Sequence, residues 1–238
     1  MAQHDTSFAR IDRQVAENVQ GIEVGRRSRL SELVAVDRLI LLGEPGAGKS
    51  TAFRQMAADL GVAVVSARAF VEGQRPAGRA VFIDALEEYR IGEPARERLA
   101  DLSAALKGAT YTQWRIACRA VSLPPPEAHF LATELGAYES WHLEGLSRPE
   151  ARDILSHLGE PDPHGFLDRV QALGAIGLIG NPATLKLLRE TILKPGAGIS
   201  TRGALLTAAS ENMAHEHDPL AAEDPDRPLA SAPSKMRA

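Results

Sequence analysis

Between residues 38 and 146 the apolar residues fall in short continuous runs, and beyond 146 they recur at helical spacing. RLILLG (38–43) predicts a buried strand, followed by a glycine-rich turn. In STAFRQMAADL (50–60), Phe53, Met56, Ala57 and Leu60 share one helix face, and Gly61 suits a left-handed closing residue. VAVVS (62–66) and AVFID (80–84) predict a second and a third strand. After Pro94, the positions Ala95, Leu99, Leu102 and Leu106 line up on a helix that ends near Gly108. RIACRA (115–120) predicts a fourth strand, LPPPE (123–127) interrupts regular structure, and AYESWHLEGL (137–146) holds a fifth. Apolar strands alternating with helices predict an α/β fold with a parallel sheet flanked by helices.

After residue 146 the strand signals stop. Ser147 and Glu150 have capping-box spacing and open a helix to about Leu158. Asp162-Pro163 and Asn181-Pro182 each pair an N-cap residue with proline at the first helical position. A last helix runs from about Ser200 to His215. The expected organisation is an N-terminal extension (1–29), an α/β core (30–146), a small all-helical domain (147–217) and a disordered tail (218–238). Prolines 219, 225, 228 and 233 among Ala, Asp and Ser carry the last expectation. Within the extension, the basic cluster GRRSR (25–29) reads either as a solvated turn or as a loop beside a bound anion.

Composition narrows the class. Of 238 residues, 44% are hydrophobic and 24% charged, as in ordinary soluble domains, while 5% aromatic content leaves the core to aliphatic side chains. A net charge of −4 argues against a standing electrostatic grip on nucleic acid or acidic lipid. No run approaches membrane-spanning length and no signal-peptide core opens the chain, so a cytoplasmic protein is expected. The single cysteine, Cys118, lies inside a predicted strand and reads as a small buried hydrophobe. Trp114 and Trp141 read as packing residues, and His142 alternates with Trp141 and Leu143 toward solvent or a polar neighbour.

GEPGAGKS (43–50) matches G-x-x-x-x-G-K-[ST] in full, with a strand before it and a helix after it. The stretch Gly43, Glu44, Pro45, Gly46, Ala47 and Gly48 can turn tightly enough to aim backbone N–H groups at phosphate oxygens. Lys49 offers an ammonium to the β- and γ-phosphates, Ser50 a hydroxyl to Mg²⁺, and Thr51 extends the polar helix start. Nucleotide binding is the expected activity.

Asp84 follows Lys49 by 35 residues, at the end of a predicted strand. An aspartate so placed holds Mg²⁺ beside the Ser50 hydroxyl. Glu87 and Glu88 come next, and either can polarise a water for attack on the γ-phosphate. Spacing does not choose between them.

D-A-L-E-E (84–88) resembles the extended Walker B element of the NACHT group of STAND-class P-loop NTPases. That element has a small residue after the Mg²⁺-binding aspartate, then a hydrophobic residue and two acids; Glu87 stands where Asp is commoner. WRIACR (114–119) resembles the family's sensor 1 strand, which usually ends in Thr-Ser-Arg. Arg119 matches its γ-phosphate-sensing arginine, while Ala117 and Cys118 replace the hydroxyl residues. WHLEGLSRPEARDIL (141–155) looks like the sheet-exit strand and first helix of the family's helical domain. GNPATLKLL (180–188) is similar to its N-P-x-x-L segment, whose proline, Pro182 here, packs near the adenine.

The resemblance covers about residues 30 to 215 and implies ATP as the nucleotide. It also implies a slowly hydrolysing switch in signalling or defence, acting as a homo-oligomer or with a separate effector or sensor protein. The chain then reads as a truncated member or as a subunit with separate partners. An AAA+-type turnover ATPase that remodels protein or nucleic acid is the alternative. Such enzymes usually carry glutamate directly after the magnesium aspartate, where this chain has Ala85. A nucleotide-binding scaffold without hydrolysis is the third reading.

Overall fold

The computed structural model describes residues 11–19, 22–89, 94–194 and 199–217, with the backbone alone at 22–24 and 211–217. The expected tail over 218–238 and the first ten residues of the extension lie outside them. Among the described residues, seven strands form one sheet: β1 (Gln14–Val19), β2 (Ile22–Arg29), β3 (Arg38–Leu42), β4 (Val64–Ser66), β5 (Ala80–Asp84), β6 (Gln113–Cys118) and β7 (Glu139–Leu143). Their spatial order is β2-β1-β7-β3-β6-β5-β4. The five strands from β7 to β4 are parallel.

Alternation along the apolar runs explains the layering. Ile40, Leu42, Val81, Ile83, Trp114 and Ile116 face α3 (Ala95–Lys107) and α4 (Pro125–Leu135), meeting Leu99, Leu102 and Leu131. Leu39, Leu41, Phe82, Ala117 and Trp141 point the other way, onto Phe53 and Met56 of α1 (Lys49–Asp59). Continuous apolar strands are what a sheet covered on both faces requires. Phe53 and Phe82 meet edge to face, with ring centroids 5.3 Å apart, a geometry that adds about 0.5–1.5 kcal/mol beyond area burial.

Three expectations need correction. The expected parallel sheet is extended by two strands that were not predicted, because the hairpin β1–β2 adds to the outer edge of β7 with antiparallel pairing. Residues 14–19 and 22–29, expected as part of an extension, are therefore strands of the sheet, and Val15 and Ala16 are fully buried. GRRSR is neither a turn nor an anion-side loop but the second half of β2. Arg26, Arg27 and Arg29 pair with Glu17, Glu144 and Glu150 at 3.6, 3.0 and 3.6 Å. Arginines suit this strand because it is an edge of the sheet, where charge is solvated. Finally, β4 starts at Val64 rather than Val62, since the Val62 amide donates to Ala57 O at 3.0 Å and closes α1 instead.

The chain leaves β7 into a helical region of α5 (Arg148–His157), α6 (Pro163–Ala172), α7 (Pro182–Leu193) and α8 (Arg202–His217). The three expected caps form. Ser147 and Glu150 make the reciprocal capping box, Asp162 accepts from Gly165 N, and Asn181 accepts from Ala183 N and Thr184 N. Leu155, Leu167, Val170, Leu185, Leu188 and Leu205 build a core separate from those of the sheet. The fold is thus a helix-flanked sheet followed by a small helical unit. Among the described residues, no helix is long and apolar enough to cross a membrane.

Candidate functional site

Between β3 and α1 the glycine-rich loop turns through left-handed conformations at Gly46 (φ 73°) and Gly48 (φ 93°). Gly46 also has no room for a side chain: an added Cβ would lie 2.8 Å from Asn181 Oδ1 and 2.9 Å from Ala183 Cβ. The loop's carbonyls are engaged one after another. Lys49 Nζ donates to Gly43 O (2.8 Å) and Glu44 O (3.1 Å). Asn181 Nδ2 donates to Pro45 O (2.8 Å), Ala183 N to Gly46 O (3.4 Å) and Arg13 Nη1 to Ala47 O (3.0 Å). A loop whose carbonyls are already engaged leaves its free N–H groups to an anion.

The strand order brings the acids to this loop. β6 lies between β3 and β5, with Cys118 beside Leu42, so Arg119 emerges next to the loop's first glycine. At the end of β5, Asp84 Oδ1 accepts from Ala85 N at 2.8 Å. Ala85 then adopts φ 59°, ψ 45°, the left-handed conformation otherwise found only at glycines among the described residues. That reversal starts a single 3-10 turn over Leu86–Glu88 and turns Glu87 inward. Glu87 Oε1 lies 3.3 Å from Arg119 Nε and 3.9 Å from Lys49 Nζ, and its side chain is 14% exposed. Its Oε2 is buried without a hydrogen-bond partner. Glu88 is exposed. The geometry separates two acids that spacing left equivalent.

A cavity of about 590 Å³ opens over the loop, within the roughly 300–1,000 Å³ range of small-molecule sites. Of the expected residues, Pro45, Gly46, Gly48, Lys49, Ser50, Thr51, Asp84, Glu87, Glu88, Arg119 and Pro182 line it. Gly43, Glu44 and Ala47 shape the loop without joining the lining. Pro182 packs on the loop, its Cγ 3.7 Å from where a Gly48 Cβ would stand. α5 and its C-cap contribute Ile154, His157 and Leu158, and α7 contributes Ala183 and Lys186. The site is therefore built from both the sheet and the helical region.

The donor set suits a phosphate-bound Mg²⁺. Among the described residues no cluster of three or more His, Cys, Asp or Glu side chains could hold a metal alone. Ser50 and Asp84 offer one hydroxyl and one carboxylate, and Mg²⁺ takes few protein ligands when phosphates and waters supply the rest.

The lining beyond the expected residues includes Ile11 and Arg13, which precede the sheet. Arg13 is 6% exposed and donates through Nη2 to Glu144 O as well as through Nη1 to the loop. Burial lowers its pKa, with the nearby Glu150 carboxylate acting in the opposite direction. Its partners lie 34 and 131 residues away along the chain, so no local pattern marks it. Cys118 is buried as expected, and burial, with Glu87 adding to it, raises its thiol to about 12.

No family model matches this chain, and no curated protein does. Solved structures do. The Aeropyrum pernix Orc1 protein in complex with DNA is 18% identical, with 82% of this chain and 68% of that one covered at a TM-score of 0.49. The Thermotoga maritima RuvB Holliday junction branch migration motor is 17% identical, with 76% and 65% covered at 0.42. AMPPCP-bound DnaA from Aquifex aeolicus is 12% identical, with 77% and 75% covered at 0.39. At these scores the likenesses carry no function across. The helix-flanked sheet and the loop between β3 and α1 make the architecture that of a P-loop NTPase.

Proposed function

We propose that this chain binds ATP with Mg²⁺ in the cavity and hydrolyses it slowly, as a NACHT/STAND-like switch in signalling or defence. One observation carries the reading: the phosphate loop, the acidic strand end and two helices of the helical region line a single cavity. A ligand gripped by both parts stabilises their closed arrangement in proportion to its preference for it. In this reading 30–146 acts as the catalytic core and 147–217 as the moving unit, with an oligomer or a separate effector or sensor protein reading the change in a cytoplasmic setting.

The roles follow from position. The loop amides and Lys49 hold the phosphates, and Thr51 extends the polar rim. Ser50 and Asp84 would hold Mg²⁺, which neutralises phosphate charge when bound. Arg119 stabilises charge on the γ-phosphate. Glu87 orients the attacking water and draws off its proton as the new P–O bond forms and the β–γ bridge breaks. Pro182, Ile154 and Leu158 offer apolar surface to the base.

Glu87 beside Arg119 would also serve a turnover ATPase of AAA+ type acting on protein or nucleic acid, and a hydrolysis-dead scaffold would keep the binding half alone. Calorimetric titration with ATP and ADP, in parallel with Lys49→Ala, tests the shared premise. Binding by the parent chain and a loss of about 100-fold or more in the variant are expected, since charge-assisted bonds to phosphate are strong; equal binding by the two ends the reading. A turnover number that climbs steeply with added DNA or unfolded protein would favour the remodelling alternative.

A further inference from the structure

Three helices of the helical region begin with a capping residue and an early proline, yet their caps differ in chemistry. Ser147 caps α5, Asp162 caps α6 and Asn181 caps α7. As N-caps, Asn, Asp and Ser are nearly equivalent, because each needs only an oxygen to accept from the first turn. Asn differs from Asp in carrying a donor, and from Ser in holding it on a second, farther-reaching atom. That donor is in use: Oδ1 accepts from Ala183 N (3.0 Å) and Thr184 N (3.3 Å), while Nδ2 donates to Pro45 O (2.8 Å). Two amides on one side and a carbonyl on the other settle which atom is nitrogen. Pro45 lies 136 residues away, inside the phosphate loop.

We propose that Asn181 is a positioning residue for that loop, joining the first turn of α7 to the shape in which the loop accepts phosphate. Seating is close as well as polar. Ala183 N reaches Gly46 O, and Gly46 touches both Asn181 and Ala183 so nearly that a methyl group would not fit. The α7 start and the loop therefore move together or separate completely. When α7 withdraws, Pro45 O and Gly46 O lose their donors and are free to rotate inward, where a carbonyl dipole repels phosphate. Nucleotide affinity thus depends on the seating of the helical region, and by linkage bound nucleotide favours that seating. This inference rests on the nucleotide-binding reading for its functional half.

The substitution that isolates it is Asn181→Ser, with Asn181→Asp beside it. Both retain the cap oxygen; the aspartate carboxylate has no donor, and the single serine oxygen, about one bond shorter than the amide nitrogen, falls short of Pro45 O while it caps. Hydrogen–deuterium exchange on the nucleotide-free protein should show faster exchange across 43–50 in both variants, with 183–193 as protected as in the parent. Titration with ADP and ATP should show affinity reduced about 3- to 10-fold for Asn181→Ser, as for one lost hydrogen bond. The loss should be larger for Asn181→Asp, whose carboxylate would repel the Pro45 carbonyl that the amide now holds. Parent-like exchange over 43–50 in both variants overturns the proposal, as does parent affinity in Asn181→Ser. A parent chain that binds no nucleotide ends the reading above it, while the exchange result still judges Asn181.

Discussion

Arg119 Nε lies 3.3 Å from Glu87 Oε1, and the pair sits over the buried ammonium of Lys49. One carboxylate thus faces two cations that the proposed chemistry assigns to phosphate. An arriving γ-phosphate competes with Glu87 for both, and in displacing it leaves the acid available to a water.

Glu87→Gln should lower single-turnover ATP hydrolysis about 100-fold or more, the usual scale for removing a general base. Its ATP affinity should hold or improve, because an anionic competitor has become neutral. Glu88→Gln, at an exposed position, should change either quantity less than about threefold. The reverse ranking of the two variants in hydrolysis would move the water-positioning role to Glu88.

Gly46→Ala should damage the loop in two ways. It forces a side chain into a left-handed backbone and drives a methyl group onto Asn181 and Ala183. A stability loss of about 1–3 kcal/mol by denaturant unfolding is expected, together with weaker nucleotide binding. A variant as stable as the parent would show that α7 does not press on the loop in solution.

Arg13→Met keeps much of the side chain's volume but removes the donors to Ala47 O and Glu144 O. Nucleotide affinity should fall about 10-fold or more, as for a hydrogen bond to a charged group. Because Arg13 precedes β1 and is remote from the motif in sequence, parent-like binding would confine the site to what the motif itself supplies.

Cys118 should resist alkylation by iodoacetamide up to about pH 9, since a thiol held near 12 has almost no thiolate there. The same shift sets the sign of a pH effect. The folded thiol keeps its proton above the ordinary 9.0 at which the unfolded thiol releases it. Its contribution is complete below pH 9 and declines as pH rises from there toward 12, by up to about 1.4 kcal/mol per unit. Denaturation midpoints of the parent and Cys118→Ala, compared across pH 8–10.5, would show the parent losing stability faster.

Much of this site was legible because its chemistry is local. Gly43 to Thr51 carry their own spacing, and Asp84 ends a strand whose apolar run is plain in AVFID. The caps at Ser147, Asp162 and Asn181 depend on neighbours within three residues, so they too could be read directly. What escaped was long-range. β1 and β2 are stabilised by pairing with β7, and their mixed sequence shows no clean alternation. Arg13 looked like any surface arginine, and Asn181 like a simple cap, because the partners that define them lie elsewhere in the chain. The inward turn of Glu87 depends on Ala85, an alanine in a conformation that composition does not reveal.

The hairpin at the outer edge of β7 has a practical consequence for dissecting this protein. A piece cut to begin at residue 30 would retain every motif residue yet expose the backbone edge of β7, along which Glu17, Ala16 and Val15 pair with Trp141, His142 and Leu143. Bare edges of that kind recruit further strands from other molecules. Such a piece should self-associate and give misleading binding data, whereas one that begins before Arg13 keeps both the edge covered and Ala47 O engaged.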